Sequence, residues 1–463
     1  MRLSEIAKAL NAPIRGADVN VLSVGTDSRN ISKGQLFVGI KGKHFDGNDY
    51  AAEAIKQGAA AVMLSNANVH AAPSVVVENT RLALGALSHY WRSKFNLPLV
   101  AVTGSNGKTT VKEMIYAILN AAHGAVLATR GNLNNDIGMP LTLLELNEKH
   151  TFAVIEMGMS HEGEIRYLTK IAQPQVALVN NAGTAHIGEV GSREGIARAK
   201  GEIFEGLAEG GTAVINADDD FAGYWKSLNV NRKIITFGLG ANADVSATYQ
   251  TQNNVTEIKL ITPNGKIEFS LNVLGEHNIH NALAASAVAL ALGISNQAIA
   301  HGLAQFHPVK GRLNWLPGFN GAVVIDDTYN ANPDSMKAAI DVLVSQNALQ
   351  VFVMGDMAEL GTDAPQMHAE IGAYAKQKNI ALFFSFGELS RLASENFGQG
   401  LDMRGQHFDT LEALLDRLRR HMRNEVTVLV KGSRFMQMER VANEIVKEKV
   451  SQILKDKNLE GVH

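Results

Sequence analysis

The sequence predicts an α/β protein of three domains, and three observations carry that prediction. At 463 residues the chain exceeds what one hydrophobic core organises, so two to four domains are expected. Apolar runs of strand length alternate along it with amphipathic helical patterns, the mark of sheets covered by helices. Two breaks divide the alternation. At Phe95-Asn96-Leu97-Pro98 a proline stops the helical stretch Arg81 to Lys94. His307-Pro308-Val309-Lys310-Gly311-Arg312 then separates an Ala-rich helical region from a new apolar run at Ala322 to Ile325. The expected domains are 1–97, 98–312 and 313–463.

Composition removes several classes of function. Hydrophobic residues make up 46% and charged residues only 19%, against about 25% in ordinary soluble domains, which excludes a charge-extended disordered chain. A formal net charge of −3 leaves no footprint for nucleic acid or an anionic membrane surface. The absence of cysteine excludes disulfides, thiolate metal sites and a cysteine nucleophile, and agrees with a reducing compartment. Glu5 and Lys8 interrupt what a signal peptide would keep apolar, and the most apolar stretch, Ala282 to Ile294, falls short of the ~20 residues of a spanning helix. A cytoplasmic protein without membrane insertion is expected. No coiled-coil heptad occurs, and a monomer is expected. The acidic trio Asp218-Asp219-Asp220 and the cluster Arg417, Arg419 and Arg420 read as solvated faces.

Residues 1–97 read as short strands and two helices, with Asp27-Ser28-Arg29 and Gly42 to Gly47 in glycine-rich turns. The second segment opens on a buried-strand pattern, Leu99 to Thr103. It runs into Gly104-Ser105-Asn106-Gly107-Lys108-Thr109-Thr110 and then a helix-competent stretch, Val111 to Leu119. Strand, glycine loop and helix are the context of a phosphate-binding loop: amides and the helix N-terminus face the phosphates, Lys108 neutralises them, and the Thr109 hydroxyl can reach Mg²⁺. Val102 stands where the common form of this loop has its first glycine. A second strand pattern, Phe152 to Ile155, ends at Glu156, where an acidic side chain can hold Mg²⁺ beside such a loop. A third, Val176 to Val179, leads through Asn180 to His186 and could bring that histidine to the same crevice. Taken singly, Glu156 could be a surface or salt-bridge residue and His186 a core or loop residue. Beyond 313, strand patterns at Val323 to Ile325, Val351 to Met354, Leu382 to Phe384 and Val426 to Val430 alternate with helical ones, as in a doubly wound sheet.

Across essentially the whole chain these residues resemble the Mur ligase family, the ATP-dependent amide ligases that build the peptide of bacterial cell-wall precursors. The resemblance rests on TGSNGKTT at 103–110, Glu156, and NAGTAHIGEVGSREGIARAKGEIF at 181–204. It continues through GEHNIHNALAA at 275–285, Gly311-Arg312 and IDDTYNANPDSM at 325–336. The runs at 327–335 and 355–361 are most similar to the branch that adds D-alanyl-D-alanine to UDP-N-acetylmuramoyl-tripeptide, and the Asp-Asn-Pro-Arg element of the diamino-acid-adding members does not occur.

The resemblance implies an N-terminal UDP-sugar-binding α/β domain, a central phosphate-loop ATPase domain with a mostly parallel sheet, and a C-terminal dinucleotide-fold-like domain for the incoming dipeptide. It places Ser28, Arg29, His44, Asp46 and Gly47 near the UDP-sugar. It puts the loop Gly104 to Thr110 on ATP, with His277, Asn278 and Asn281 on the adenine side, Asp327 at the ribose and Arg312 at the γ-phosphate. Thr109, Glu156, His186 and a carbamylated Lys200 would surround Mg²⁺, since an ammonium cannot ligate a cation whereas its carbamate can. Tyr329, Asn330, Asn332, Lys431 and Ser433 fall to the second substrate. Lys108, His186, Lys200 and Arg312 are the expected catalytic set. For Asn278 alone a helix N-cap is the competing reading, and for the 431–434 run an exposed turn. The same residues admit a sister ligase adding the third amino acid, a folylpolyglutamate synthase, or a phosphate-loop module that binds nucleotide without ligating.

Overall fold

Leu99–Thr103 carries no charge and is buried along its whole length, which suits a strand covered on both faces of a parallel sheet. In the computed structural model, which describes residues 1–240, 242–252, 255–398 and 404–447, it occupies that place. The sheet around it runs Lys233–Phe237, Thr212–Asn216, Val176–Val179, Leu99–Thr103, Phe152–Glu156, Val126–Ala128, all parallel. The chain leaves Leu99–Thr103 towards one edge and Val176–Val179 towards the other. The loops after these two neighbours therefore part over a crevice at the carboxyl end of the sheet, where open α/β sheets bind ligands.

Helix Lys108–His123 buries Val111, Met114, Ile115, Ile118 and Leu119, a stripe at three- and four-residue spacing. That stripe packs with helices Glu276–Ala291 and Asn296–Ala304 on one sheet face, while Glu164–Ala172 and Arg193–Gly201 cover the other. Burying each large apolar side chain contributes roughly 1.5–3 kcal/mol, so Ile115→Asp would break this layer. The Ala-rich stretch lies largely within Glu276–Ala291, whose small side chains let it nest against its neighbours.

The N-terminal sheet has the order Ile14–Arg15, Ser74–Val76, Ala61–Leu64, Gln35–Val38, Ser23–Gly25, parallel except at the first pair. It carries three α-helices, Leu3–Ala9, Ala51–Gln57 and Thr80–Arg92, where two were expected. Leu3–Ala9 and Ala51–Gln57 have only seven residues each, about two turns, too short to show a clear period. The C-terminal sheet runs Asn314–Pro317, Val323–Asp327, Val426–Lys431, Leu349–Gly355, Leu382–Phe386, Gly405–Phe408, parallel but for its first strand. Asp327 and Lys431 end adjacent strands in register and face the crevice of the central sheet.

Two further features depart from expectation. An antiparallel ribbon, Ser246–Gln252, Val255–Thr262 and Gly265–Leu271, follows the central sheet. Its signals were the alternation of buried Ile258 and Leu260 with exposed Glu257 and Lys259, and the Asn264-Gly265 turn. The acidic trio is not simply a solvated face. Asp219 accepts from the amides of Ala182 and Phe221, and Asp218 accepts from those of Leu239 and Gly240 and pairs with His280. Among the described residues no helix is long and apolar enough to cross a membrane.

Candidate active site

The glycine loop is shaped by the segment that follows the neighbouring strand. Ser105 and Asn106 donate their amides to the carbonyl and side-chain oxygens of Asn181, and Asn180 Nδ2 donates to the Asn106 carbonyl at 3.0 Å. Gly107 has φ +78°, and a Cβ there would collide with the amides of Asn281 and Asn180, so glycine is required on both counts. Lys108 opens the following helix and folds its ammonium back onto the Gly104 carbonyl at 2.7 Å. Burial holds that ammonium below the ordinary lysine range, Glu156 and Glu359 opposing the shift and the charge of Arg312 adding to it.

Beside the loop, Thr109 Oγ1 donates to Glu156 Oε2 at 2.9 Å, and Asn134 Nδ2 donates to the other carboxylate oxygen at 2.7 Å. Glu156 is buried and sits at the strand end foreseen for it. Arg312, at the second break of the chain, donates from Nη2 to Thr109 Oγ1 at 3.0 Å and lies over the Tyr329 ring at 4.2 Å. Its Nε is buried and makes no hydrogen bond among the described residues, an orphan donor suited to an anion. Lys200 is 1% exposed, and among the described residues its ammonium has neither hydrogen bond nor ion pair. Burial, reinforced by the charge of Lys108, drives its pKa well below that of an ordinary lysine, towards the neutral amine.

His186 takes a left-handed conformation, φ +64°, and its Nδ1 lies 2.7 Å from Glu359 Oε2, a close contact rather than an aligned hydrogen bond. The contact with His186 holds the Glu359 carboxyl below the usual range against the effect of burial. Ligand atoms of His186, Glu189 and Glu359 lie within 4.8 Å of one another. The charges of Glu156 and Glu359 both act on Lys108. The Thr109 hydroxyl and the Glu156 carboxylate, in contact with each other, are hard oxygen donors of the kind that Mg²⁺ takes.

Asn278 lies within the first turn of its helix, after the N-cap Gly275; it donates to the Leu274 carbonyl and accepts from Asn281, which in turn accepts from Asn180. Burial draws the neighbouring His277 imidazole down to about 4. On the C-terminal sheet, Lys431 is buried and donates to Asp327 Oδ2 at 2.6 Å and to the Asn330 carbonyl at 3.0 Å. Ser433 is buried, donating to the Ala331 carbonyl and accepting from the Ala358 amide. His277, Asn278, Asn281, Asp327, Tyr329, Asn330, Asn332 and Lys431 line, with Lys108, Glu156, His186 and Arg312, one cleft of about 1330 Å³, whereas Thr109, Lys200 and Ser433 are not among its lining residues.

Ser28, Arg29, His44, Asp46 and Gly47 do not line that cleft. Arg29 pairs with Asp27 at 2.8 Å on the surface, Asp46 caps a short helical turn through the Asn48 amide, and Gly47 sits against the backbone of Ile40. The sequence reading missed Asn134, which orients Glu156, together with Asp334 and Glu359, which touch the central segment across the cleft. Glu359 lies inside the run at 355–361, part of the family resemblance. The run of three asparagines among residues 132–135 was the available signal for Asn134.

A strand–glycine loop–helix unit on one parallel sheet, faced by Arg312 at the break and by an Asp–Lys pair on a second sheet, defines a phosphate-loop type of α/β protein with its cleft between sheets. The chain belongs to the Mur ligase family: residues 20–93 match the family's catalytic domain, 102–289 the Mur ligase middle domain, and 311–434 the Mur ligase glutamate ligase domain. It is 42% identical over 443 residues to the UDP-N-acetylmuramoyl-tripeptide–D-alanyl-D-alanine ligase of Escherichia coli strain K12, which covers 95% of this chain and 97% of that one. The structure of the UDP-N-acetylmuramoylalanyl-D-glutamyl-2,6-diaminopimelate–D-alanyl-D-alanyl ligase from Acinetobacter baumannii superposes with a TM-score of 0.85 at 37% identity, covering 95% and 97% of the two chains. The MurF ligase from Thermotoga maritima in complex with ADP gives 0.82 at 29%, covering 91% and 96%.

Proposed function

We propose that the chain is an ATP-dependent ligase that joins D-alanyl-D-alanine to the tripeptide carboxylate of UDP-N-acetylmuramoyl-tripeptide, in the cytoplasmic stage of peptidoglycan synthesis. The observation that carries this reading is the meeting of Arg312 with Thr109 beside the glycine loop, which brings cations from two parts of the chain to one phosphate site. In this reading 1–97 binds the UDP-sugar through Ser28, Arg29, His44, Asp46 and Gly47. Residues 98–312 hold ATP, with His277, Asn278 and Asn281 towards the base. Residues 313–463 present Asp327 to the ribose, and Tyr329, Asn330, Asn332, Lys431 and Ser433 to the dipeptide or the transferring phosphate.

A carboxylate is a poor acyl donor because oxide is a poor leaving group. The tripeptide carboxylate therefore attacks the γ-phosphorus of ATP in line, expelling ADP. The dipeptide amine then attacks the acyl phosphate carbon, inorganic phosphate leaves, and the amine loses its proton. Three anions must be held together, and Lys108 and Arg312 neutralise them where charge develops. Mg²⁺, held by Thr109, Glu156 and a carbamate on Lys200 with His186 close by, would supply a Lewis acid for the phosphate oxygens. Lys200 fits carbamylation because burial lowers the pKa of its ammonium, which favours the neutral amine that attacks CO₂.

Phosphate release from ATP and Mg²⁺, measured with each substrate omitted in turn and with the product weighed, tests the proposal. Release is expected only with both substrates, yielding the pentapeptide. Turnover with a free diamino acid and the dipeptide precursor instead would transfer the chain to the sister reaction.

A further inference from the structure

One lobe of the cleft is built from residues that the reaction above does not use. Arg81, in the first turn of helix Thr80–Arg92, places Nε 2.7 Å from Asp136 Oδ2, across the joint between the N-terminal and central sheets. Ala83, Leu84 and Leu87 of that helix pack with Ile137, Leu141 and Leu144, which fixes the two charges relative to each other. Both charged side chains line the cleft, as does Tyr167, whose hydroxyl feels both charges and makes no hydrogen bond among the described residues. The lobe is near the chemistry. Asp136 is two residues from Asn134, at most about 7 Å along the chain, and Asn134 bonds Glu156.

Resting on the ligase reading, we infer that Arg81 and Asp136 recognise the side chain of the third peptide residue, and that this side chain ends in an α-amino-acid group carrying both an ammonium and a carboxylate. Such a head occurs in the 2,6-diaminopimelate named for the Acinetobacter baumannii relative. The two protein side chains keep 48% and 34% of their surface, and an ion pair that exposed contributes at most about 1 kcal/mol, so a ligand opens it at little cost. A zwitterionic head restores both contacts, carboxylate on the Arg81 guanidinium and ammonium on Asp136. A lysine side chain of similar length offers only the ammonium and leaves Arg81 without its counter-charge.

The test is steady-state kinetics on the full chain with two tripeptide nucleotides, one carrying diaminopimelate and one lysine at position three, with ATP and D-alanyl-D-alanine saturating. The unmodified protein is expected to show a KM about 10-fold or more lower for the diaminopimelate nucleotide. Arg81→Met should erase that ratio by raising the diaminopimelate KM, Arg81→Lys should keep part of it, and Asp136→Asn should raise KM for both nucleotides. Equal KM values in the unmodified protein, or an Arg81→Met effect shared equally by the two nucleotides, would overturn the inference and leave the ligase intact. No pentapeptide from either nucleotide would instead remove the ligase reading, and this inference with it.

Discussion

Arg312 Nη2 lies 3.0 Å from Thr109 Oγ1 although 203 residues separate them, so the glycine loop is met by a side chain from the second break in the sequence. The Tyr329 ring beneath the guanidinium fixes its plane. Arg312→Met is expected to lower kcat about 100- to 1000-fold, the cost of removing one preorganised group that stabilises developing charge. Arg312→Lys should recover only part, because an ammonium neither forks nor stacks as a guanidinium does. Tyr329→Leu should cost about 2- to 5-fold, in keeping with a cation–π contact of roughly 0.5–1 kcal/mol. Phosphate-release kinetics read all three, and an undiminished kcat in Arg312→Met would remove this arginine from the reaction.

Legibility in the sequence followed the strength of local signals. The strand Leu99–Thr103, the loop and its helix were readable because a continuous apolar run, φ-demanding glycine and an amphipathic stripe coincide there. Glu156 was readable as a strand end. Its partner Asn134 was not, since nothing local distinguishes an asparagine that orients a carboxylate from one that closes a turn. The same holds for Asp334: in sequence it is an acid in a helix first turn, a position explained by the helix dipole alone. Only the approach of two sheets reveals that it bonds Thr184.

Lys200 joins function and stability with opposite signs. Its folded pKa lies well below the 10.5 of the exposed side chain, so between these values the unfolded chain binds the extra proton and folding must expel it. That cost is largest below the folded pKa and vanishes as pH rises past 10.5. In CO₂-free buffer Lys200→Met should therefore raise the thermal midpoint at pH 7, by about 2 °C for each kcal/mol recovered, and the gain should shrink by pH 9.5. The same variant should release no phosphate. Activity of the unmodified protein should fall on stripping CO₂ and return with bicarbonate, while Lys200→Arg, which stays charged, should not respond. A midpoint lowered by Lys200→Met at pH 7 would mean that the buried amine is stabilised by something other than its neutrality.

Asp334 closes the cleft from the opposite side. Its Oδ2 accepts from the Thr184 amide at 2.7 Å and from the Thr184 hydroxyl at 2.9 Å, bonding the first turn of helix Pro333–Val344 to the loop that follows Val176–Val179. Asn332 adds a 2.8 Å bond to Asn106 in the glycine loop, and the Gly188 amide donates to the Glu359 carbonyl at 3.1 Å. Two charge-assisted bonds on one carboxylate bias the C-terminal sheet towards the closed arrangement, since opening exposes all of these groups to water. Removing about 2 kcal/mol from the closed form shifts the closed-to-open ratio about 30-fold. Asp334→Ala is therefore expected to enlarge the radius of gyration of the ligand-free protein in solution scattering. It should also raise KM for both ATP and the tripeptide nucleotide more than it lowers kcat, because neither bond reaches a reacting atom. Thr184→Val keeps the amide donor and should move both quantities in the same direction by less. If the radius and both KM values stayed at those of the unmodified protein in Asp334→Ala, closure would have to be held by the His186–Glu359 contact instead, and Glu359→Gln would then produce the expansion.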